Sequence, residues 1–241
     1  MRMRQGPPPP PTLVLLPGMD GTGRLFKSLV SVLTPEVDTI VVSYPADIPL
    51  NYDKLEALAR RSLPVDRSFI LLGESFSGPI AISLTALRFP QQVGLILCST
   101  FAKNPRPTFS LLKGLIPMLP IESVPFRWIS GILLGRYSTA NLRSARNEAI
   151  TQVTRPVMQS RLQSVLEVDV SAKLARLDLP ILYLRASKDW VVPKTTSIHT
   201  LQTNPKVQEV TLRAPHYLLQ AIPEEAAKSI RYFMKNINII D

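Results

Sequence analysis

Three polar residues far apart in the sequence, Ser75, Asp189 and His216, could together carry out nucleophilic chemistry. A serine hydroxyl attacks a carbonyl carbon efficiently only when a neighbouring base removes its proton, and that base is most often a histidine. A carboxylate beside the histidine fixes its tautomer and stabilises the imidazolium that forms. The chain contains only two histidines, so few residues could serve as the base.

Ser75 lies in the segment Gly73-Glu74-Ser75-Phe76-Ser77, directly after an apolar run. A strand that turns straight into a helix strains the backbone of its middle residue and needs small residues two positions away on either side. Gly73 and Ser77 occupy these positions, although Ser77 stands where a glycine is usual. Such a turn would present the Ser75 hydroxyl at a helix N-terminus, where an oxyanion is stabilised. The pattern is short, and Ser75 as an ordinary helix cap is the alternative.

The candidate base and acid both follow predicted strands. His216 comes after the strand predicted at 207–212, and Asp189 comes after the strand predicted at 179–184. Ligands of an open parallel sheet bind beyond the carboxyl ends of its strands, so we expect both side chains at the same edge as Ser75. His199 falls inside a predicted helix and is expected to be an ordinary residue.

Other carboxylates are poorer candidates for the acid. Glu74 is adjacent to the nucleophile but would point away from it, and Asp20 lies too early in the chain. The loop predicted after the fourth strand, residues 99–104, contains no carboxylate. Asp189 could instead be a helix cap or a surface charge, but the order serine, aspartate, histidine favours a catalytic role.

The elements that must position these residues alternate regularly between strand and helix. Apolar runs bounded by proline or glycine predict six strands, and apolar residues at helical spacing predict helices between them. This alternation predicts an α/β fold with a six-stranded parallel sheet and helices on both faces. The predicted strands are 12–16, 39–43, 68–72, 93–98, 179–184 and 207–212, and the predicted helices are 22–33, 52–63, the segment from Ser75 to Pro90, 194–202 and 223–236.

Residues 103–178 interrupt the alternation, because they show apolar segments broken by prolines and no convincing strand. We expect a helical lid or cap, inserted into a core formed by residues 12–102 and 179–241. The lid has more apolar side chains than its helices need, so Trp128 and Leu133 are predicted to bind substrate. The same side chains could instead form inert core or pair two subunits, and the sequence leaves the oligomeric state open.

Composition limits the remaining function classes. The chain has 241 residues, 45% of them hydrophobic, and a formal charge of +10. Its basic residues form no tract and no zinc spacing, so we expect no nucleic-acid partner, no metal and no cofactor. Its one cysteine, Cys98, falls in an apolar run and is expected to be a buried, inert thiol. No apolar run reaches about 18 residues, so we expect no transmembrane segment. We expect a soluble cytoplasmic protein with a disordered, proline-rich tail at 1–11.

These segments resemble the α/β-hydrolase fold family. The resemblance spans nearly the whole chain and rests on three segments, Gly73-Glu74-Ser75-Phe76-Ser77 as nucleophile elbow, Ser187-Lys188-Asp189-Trp190 as acid loop and Pro215-His216 as histidine loop. It implies a sheet that lacks the first two family strands and has the spatial order 2-1-3-4-5-6. It also implies an oxyanion hole formed by the N–H groups of Met19 and Phe76, with Pro17-Gly18 in place of the commoner His-Gly.

The resemblance implies a serine hydrolase that cleaves carboxylic esters through an acyl-enzyme, of the carboxylesterase or lipase kind. The loop Leu16-Pro17-Gly18-Met19-Asp20-Gly21-Thr22-Gly23 also resembles plastid-type acyltransferases, so transfer from CoA-bound or carrier-bound acyl groups is an alternative. A non-catalytic binding protein on the same scaffold is the alternative from another class.

The charge is concentrated in the predicted lid. Residues 103–161 contain nine basic and two acidic residues, which gives 9 − 2 = +7 of the chain's +10. A cationic edge beside an apolar pocket would suit a small ester with an apolar acyl group and an anionic or carrier-bound head, as in the similar pimeloyl-carrier-protein methyl esterases. The alternative is that these residues only solvate the lid helices.

Overall fold

A computed structural model of the chain describes residues 10–108, 114 and 133–237. Its six strands form a single sheet in which every neighbouring pair is parallel. They are β1 (Thr12–Leu16), β2 (Thr39–Val41), β3 (Phe69–Glu74), β4 (Gln92–Cys98), β5 (Ile181–Ala186) and β6 (Val207–Leu212). The spatial order is β2-β1-β3-β4-β5-β6, so the interior strands β1, β3, β4 and β5 end side by side.

Helices cover both faces of the sheet. They are α1 (Lys27–Leu33), α2 (Tyr52–Arg60), α3 (Gly78–Thr85), α4 (Ala140–Thr151), α5 (Arg155–Glu167), α6 (Ser171–Ala175), α7 (Lys194–Thr203), α8 (Leu218–Ala221) and α9 (Pro223–Ile237). Short 3-10 turns at Arg24–Phe26 and Ser75–Ser77 lead directly into α1 and α3. Asn51 caps α2 by accepting a 3.2 Å hydrogen bond from the Lys54 N–H, as a polar residue at that position favours.

Two apolar layers hold the helices on the sheet, and successive residues of a strand contribute to opposite layers. Leu13 and Leu15 pack in the layer that includes α1 and α9. Val14 and Leu16 pack in the layer that includes α2 and α3. All five residues of β1 are buried, which is typical of a central parallel strand covered on both sides.

The segment between β4 and β5 leaves the sheet and returns to it with its two ends paired. Lys103 and Asp169 form an isolated antiparallel bridge, and the Val170 N–H donates to the Ala102 carbonyl at 2.8 Å. Helices α4 and α5 lie inside this excursion. Beyond it, Leu174 of α6 is fully buried in the same apolar layer as α2 and α3.

The structure confirms the predicted fold class, including the six parallel strands and their order. The element ends differ by a few residues: β2 ends at Val41, α3 ends at Thr85, and β5 begins at Ile181 and runs to Ala186. The predicted disordered tail falls mostly outside the described residues, as do residues 109–113 and 115–132 of the predicted lid. The lid and the division into core and cap therefore stay predictions.

Candidate active site

Ser75 occupies the junction between β3 and α3 in a strained backbone conformation. Its φ is +48°, in the left-handed region that residues with a side chain seldom adopt. The junction is crowded: a Cβ on Gly73 would lie 2.8 Å from both the Ala81 Cβ and the Ser77 carbonyl oxygen. The small residue predicted at position 73 is therefore a steric requirement of this turn. Ser75 itself is only partly buried, so its hydroxyl is accessible.

The side chains of Ser75, His216 and Asp189 form a continuous hydrogen-bonded chain. The Ser75 Oγ lies 2.8 Å from the His216 Nε2, and the His216 Nδ1 lies 2.8 Å from the Asp189 Oδ2. When the imidazole is neutral and carries its proton on Nδ1, it donates to Asp189 and its Nε2 accepts from the serine. The side chains of His216 and Asp189 are only 3% and 4% exposed, so the hydrogen bond between them is shielded from water.

Each partner of Ser75 is held by the loop that follows its strand. The second oxygen of Asp189, Oδ1, accepts hydrogen bonds from the Val191 N–H at 2.8 Å and the Val192 N–H at 2.9 Å. These bonds leave Oδ2 facing the imidazole. On the other loop, the His216 carbonyl accepts from the Leu218 N–H at 2.8 Å, which begins α8. The structure thus brings together the three residues that the sequence predicts.

The predicted oxyanion loop lies against the elbow. A Cβ on Gly18 would stand 3.9 Å from the Ser75 Cβ. The Gly21 N–H donates to the Gly18 carbonyl at 3.0 Å, so Gly18 to Gly21 form a β-turn with Met19 at its second position. The N–H at that position takes no part in the bond that closes the turn. Phe76 lies in the first turn of the 3-10 helix Ser75–Ser77, where N–H groups have no partner within the helix.

Three hydroxyl groups, for which the sequence predicts no role, hold the nucleophile elbow in place by hydrogen bonds. The Ser77 Oγ donates to the Pro17 carbonyl, and the Tyr44 hydroxyl lies 2.8 Å from the same Oγ. Because the only proton of Ser77 goes to Pro17, Tyr44 must donate to Ser77. The Thr100 Oγ1 donates to the Ser75 carbonyl. Ser77 in place of the usual glycine was the available signal, since a buried hydroxyl needs a partner.

Glu74 is buried behind the nucleophile and does not take part in the triad. Its Oε1 accepts a 2.9 Å hydrogen bond from the Gln220 Nε2. The pKa of Glu74 is raised from 4.5 to about 7, mainly by burial and also by the nearby Asp20, against the lowering effects of the bond from Gln220 and of the nearby His216. The position agrees with the expectation that this carboxylate would point away from the serine hydroxyl.

The other predicted site residues have mixed outcomes. Leu133 is described, and its carbonyl accepts from the Tyr217 N–H at 3.1 Å, which puts it next to the histidine loop. Trp128 lies outside the described residues. Of the two residues expected to have no catalytic role, His199 lies on α7 and Cys98 is fully buried.

The basic residues of 103–161 are not all at the surface. Arg146 and Arg161 are 0% and 1% exposed, so at least two of the nine do not contribute to a cationic surface.

Within the described part of the chain, no helix is both long enough and apolar enough to cross a bilayer.

Comparison with solved structures identifies the fold. No protein-family model matches the chain. A thermophilic esterase from Thermogutta terrifontis superposes with a TM-score of 0.79 at 20% identity, over 96% of this chain and 92% of that one. The enol-lactonase from Burkholderia xenovorans LB400 superposes with a TM-score of 0.73 at 15% identity, over 97% and 94% of the two chains. The chain has the α/β-hydrolase fold.

A sequence relative covers much of this chain. The candidate carbamate hydrolase RutD of Pseudomonas syringae pv. syringae is 25% identical over 221 residues, which are 84% of this chain and 85% of that protein. The activities named for these similar proteins are hydrolytic. They support a hydrolase and do not identify the bond that it cleaves.

Proposed function

We propose that the protein is a serine hydrolase that cleaves carboxylic esters through an acyl-enzyme intermediate. The observation that supports this most strongly is the chain of two 2.8 Å contacts from Ser75 through His216 to Asp189. In this proposal Ser75 is the nucleophile, His216 is the general base and acid, and Asp189 orients the imidazole. The strained, accessible position of Ser75 supports its role as the nucleophile.

The proposed reaction has two half-reactions. The Ser75 Oγ attacks the ester carbonyl carbon while its proton passes to the His216 Nε2, and a tetrahedral oxyanion forms. Collapse of this species breaks the bond to the alkoxy oxygen, which takes the proton from His216 and leaves as the alcohol. Water then loses a proton to His216 and attacks the acyl carbon; the bond from this carbon to the Ser75 Oγ breaks, the Oγ takes the proton back from His216, and the acid leaves.

The backbone N–H groups of Met19 and Phe76 are the proposed oxyanion donors. The β-turn from Gly18 to Gly21 and the first turn of the 3-10 helix support this role, because both leave an N–H without a local partner. Two such donors fixed before the reaction stabilise the developing charge at little reorganisation cost. The adjacent helix α3 adds the positive end of its dipole.

The substrate side of the proposal is a small ester with an apolar acyl group, bound partly by the insertion through Trp128 and Leu133. The hydrogen bond between the Leu133 carbonyl and the Tyr217 N–H supports this for Leu133, since it joins the insertion to the histidine loop. We also propose that an anionic or carrier-bound group of the substrate contacts the exposed basic residues Lys103, Arg136 and Arg143. The salt dependence of kcat/KM tests this contact, because kcat/KM for an anionic substrate should fall with salt more steeply than that for a neutral ester.

Carbamate hydrolysis is a second candidate, favoured by the similarity to RutD over most of both chains. The same serine, histidine and oxyanion donors could act on a carbamate carbonyl, with a nitrogen or oxygen leaving group protonated by His216. The named hydrolases also favour water over an alcohol as the acceptor, and therefore hydrolysis over acyl transfer. Two assays separate the candidates. A carbamate hydrolase should release ammonium from a simple carbamate faster than it releases p-nitrophenol from p-nitrophenyl esters, and an esterase should show the reverse.

The proposal is tested by replacing members of the triad. Ser75→Ala should lower kcat for p-nitrophenyl butyrate by on the order of 10⁴-fold or more, and Asp189→Asn should lower it by a similar order because the imidazole loses its orientation. Ser28→Ala, at an exposed serine of α1, is the matched control and should keep wild-type kcat. Ester turnover that survives Ser75→Ala would exclude Ser75 as the nucleophile.

A further inference from the structure

The excursion between β4 and β5 contributes one buried arginine, which contacts the proposed oxyanion loop directly. Arg161 belongs to α5 and is only 1% exposed. Its Nη1 donates to the carbonyl oxygens of Met19 at 2.8 Å and Asp20 at 2.9 Å. Its Nη2 donates to the Pro45 carbonyl at 2.9 Å. A side chain 142 positions away in sequence thus holds two consecutive peptide groups of the loop.

The surroundings of the Arg161 guanidinium suit a permanent cation. Burial lowers the pKa of Arg161, and the negative charge of Asp20 opposes that change. The face of the Tyr44 ring lies 6.0 Å from the guanidinium carbon, within the range of a cation–π contact. Hydrogen bonds from a charged donor are stronger than neutral ones, so these contacts offset part of the cost of burying the charge.

Gly21 provides the space for this guanidinium. Its φ is +71°, and an added Cβ would lie 2.7 Å from both the Nη1 and the Nη2 of Arg161. Tyr44 holds the same residue from the other side, because its N–H donates to the Gly21 carbonyl at 2.7 Å. Loop and arginine therefore fit each other closely, and no other residue type at position 21 would leave room for Arg161 in this position.

The same loop is tied to the elbow through hydroxyl groups. Ser77 donates to the Pro17 carbonyl and accepts from Tyr44. Pro17 precedes the β-turn that presents the Met19 N–H, and Arg161 bonds the carbonyls that follow it. The turn is thus fixed on both sides of Met19, by the elbow before it and by the insertion after it.

We propose that Arg161 is a positioning residue, which sets the oxyanion loop so that the Met19 N–H faces the oxyanion formed on Ser75. The proposal rests on the proposed function, in which Met19 is an oxyanion donor. It links helix α5 of the insertion to the rate of the chemical step. An oxyanion donor that is displaced by about 1 Å costs on the order of 10²-fold in rate.

Arg161→Met and Arg161→Lys test this role with a p-nitrophenyl ester. We expect kcat per active site to fall by on the order of 10²-fold in Arg161→Met, with KM nearly unchanged. Lysine keeps the charge without the planar fork, so Arg161→Lys should show a smaller loss, on the order of tenfold. Active sites are counted by titration with a fluorophosphonate over hours, so that misfolded protein does not enter kcat.

A second readout separates positioning from a general loss of structure. A trifluoromethyl ketone forms a hemiketal oxyanion on Ser75, so its Ki should rise in the same proportion as kcat/KM falls across the variants. The matched control is Arg231→Met on α9, because Arg231 also donates to a carbonyl, that of Val32 at 2.5 Å, but its helix packs in the other apolar layer. This variant should lower Tm and leave kcat per active site and Ki unchanged.

The two proposals fail in different ways. If wild-type protein shows neither ester turnover nor fluorophosphonate labelling, the proposed function is wrong. If the wild type is active and Arg161→Met keeps wild-type kcat per active site and Ki, the function stands and the role of Arg161 is wrong. An equal loss in Arg231→Met would also overturn the positioning role, since it would show a global effect.

Discussion

At the scale of single residues, the site combines a partly buried nucleophile with buried polar partners that are almost all satisfied by hydrogen bonds. Asp189 uses one oxygen for the backbone and the other for His216. Glu74 differs, because it is a carboxyl group in a buried position whose hydrogen-bond donor is the neutral amide of Gln220. Such a group favours its protonated form and makes stability depend on pH.

Glu74→Gln should make the protein more stable at pH 8 and remove part of its pH dependence. Glutamate has an ordinary pKa of 4.5, and burial raises that of Glu74 to about 7. Between these values the folded chain binds one proton more than the unfolded chain, so the free energy of unfolding falls as pH rises from about 4.5 to 7. The loss is at most on the order of 3 kcal/mol above pH 7. Glutamine cannot titrate and therefore avoids this loss.

Urea unfolding of wild type and Glu74→Gln at pH 5 and pH 8 measures this difference. The variant should lie close to wild type at pH 5 and exceed it at pH 8. Glu225→Gln, at an exposed glutamate of α9, is the control. A wild type whose unfolding free energy at pH 8 equals that at pH 5, with the variant showing no gain, would show that Glu74 does not titrate in this range.

The three proposed catalytic residues could be predicted from the sequence, and most of their supports could not. Ser75, Asp189 and His216 each follow a strand, so strand order alone places them at one edge of the sheet. Arg161 reaches the site from an inserted helix, while Tyr44 and Gln220 follow β2 and His216, and nothing local in the sequence of the three marks their contacts. Long-range contacts between a loop and an inserted helix follow from packing, which a single sequence does not reveal.

At the scale of elements, the close crossing of β3 and α3 determines where Ser75 stands. Gly78 begins α3, and a Cβ there would overlap the Thr100 Oγ1 and lie 2.7 Å and 2.8 Å from its Cγ2 and Cβ. The loop after β4 therefore touches the helix backbone directly. Nothing in the sequence alone identifies Thr100 as the residue that requires a glycine at position 78.

Gly78→Ala should destabilise the protein and reduce the proposed esterase activity. The new methyl group must displace Thr100, which would break the hydrogen bond from Thr100 to the Ser75 carbonyl. Overpacking of this kind costs about 1–3 kcal/mol. Thermal unfolding and kcat measure the two effects. Gly94→Ala is the matched control, since its Cβ would lie 2.7 Å from the flexible end of Ile237 and 3.3 Å from the Phe233 ring, two residues of α9 with no proposed role in the site, so kcat should not change. Wild-type stability and kcat in Gly78→Ala would contradict the steric account.

At the scale of the whole molecule, the excursion between β4 and β5 brings Arg161 into contact with the loop that follows β1. The paired ends of the excursion at Lys103 and Asp169 fix where it leaves and returns. Sequence alternation predicted the sheet, because each strand and helix has a clear apolar period. It could not predict the contacts of the excursion, because proline-broken apolar segments have several packing solutions.

Leu133→Ala should change the preference of the enzyme for acyl chain length. Leu133 is partly buried beside the histidine loop, and a shorter side chain there would remove apolar contact with a long acyl group. We expect kcat/KM for p-nitrophenyl octanoate to fall relative to that for the acetate, by up to roughly tenfold. Leu87→Ala, at a leucine 47% exposed beyond α3, is the control. An unchanged profile in Leu133→Ala would show that this residue does not shape the acyl site.

Covalent labelling tests the central claim, that Ser75 is an activated nucleophile, most directly. A fluorophosphonate forms a bond between its phosphorus and the serine Oγ, and fluoride leaves. Intact-mass measurement should show one adduct per chain, and peptide mapping should place it on Ser75. The adduct should be absent in Ser75→Ala and form much more slowly in Asp189→Asn. An adduct at another residue, or ester hydrolysis by wild-type protein whose Ser75 stays unlabelled, would contradict the account.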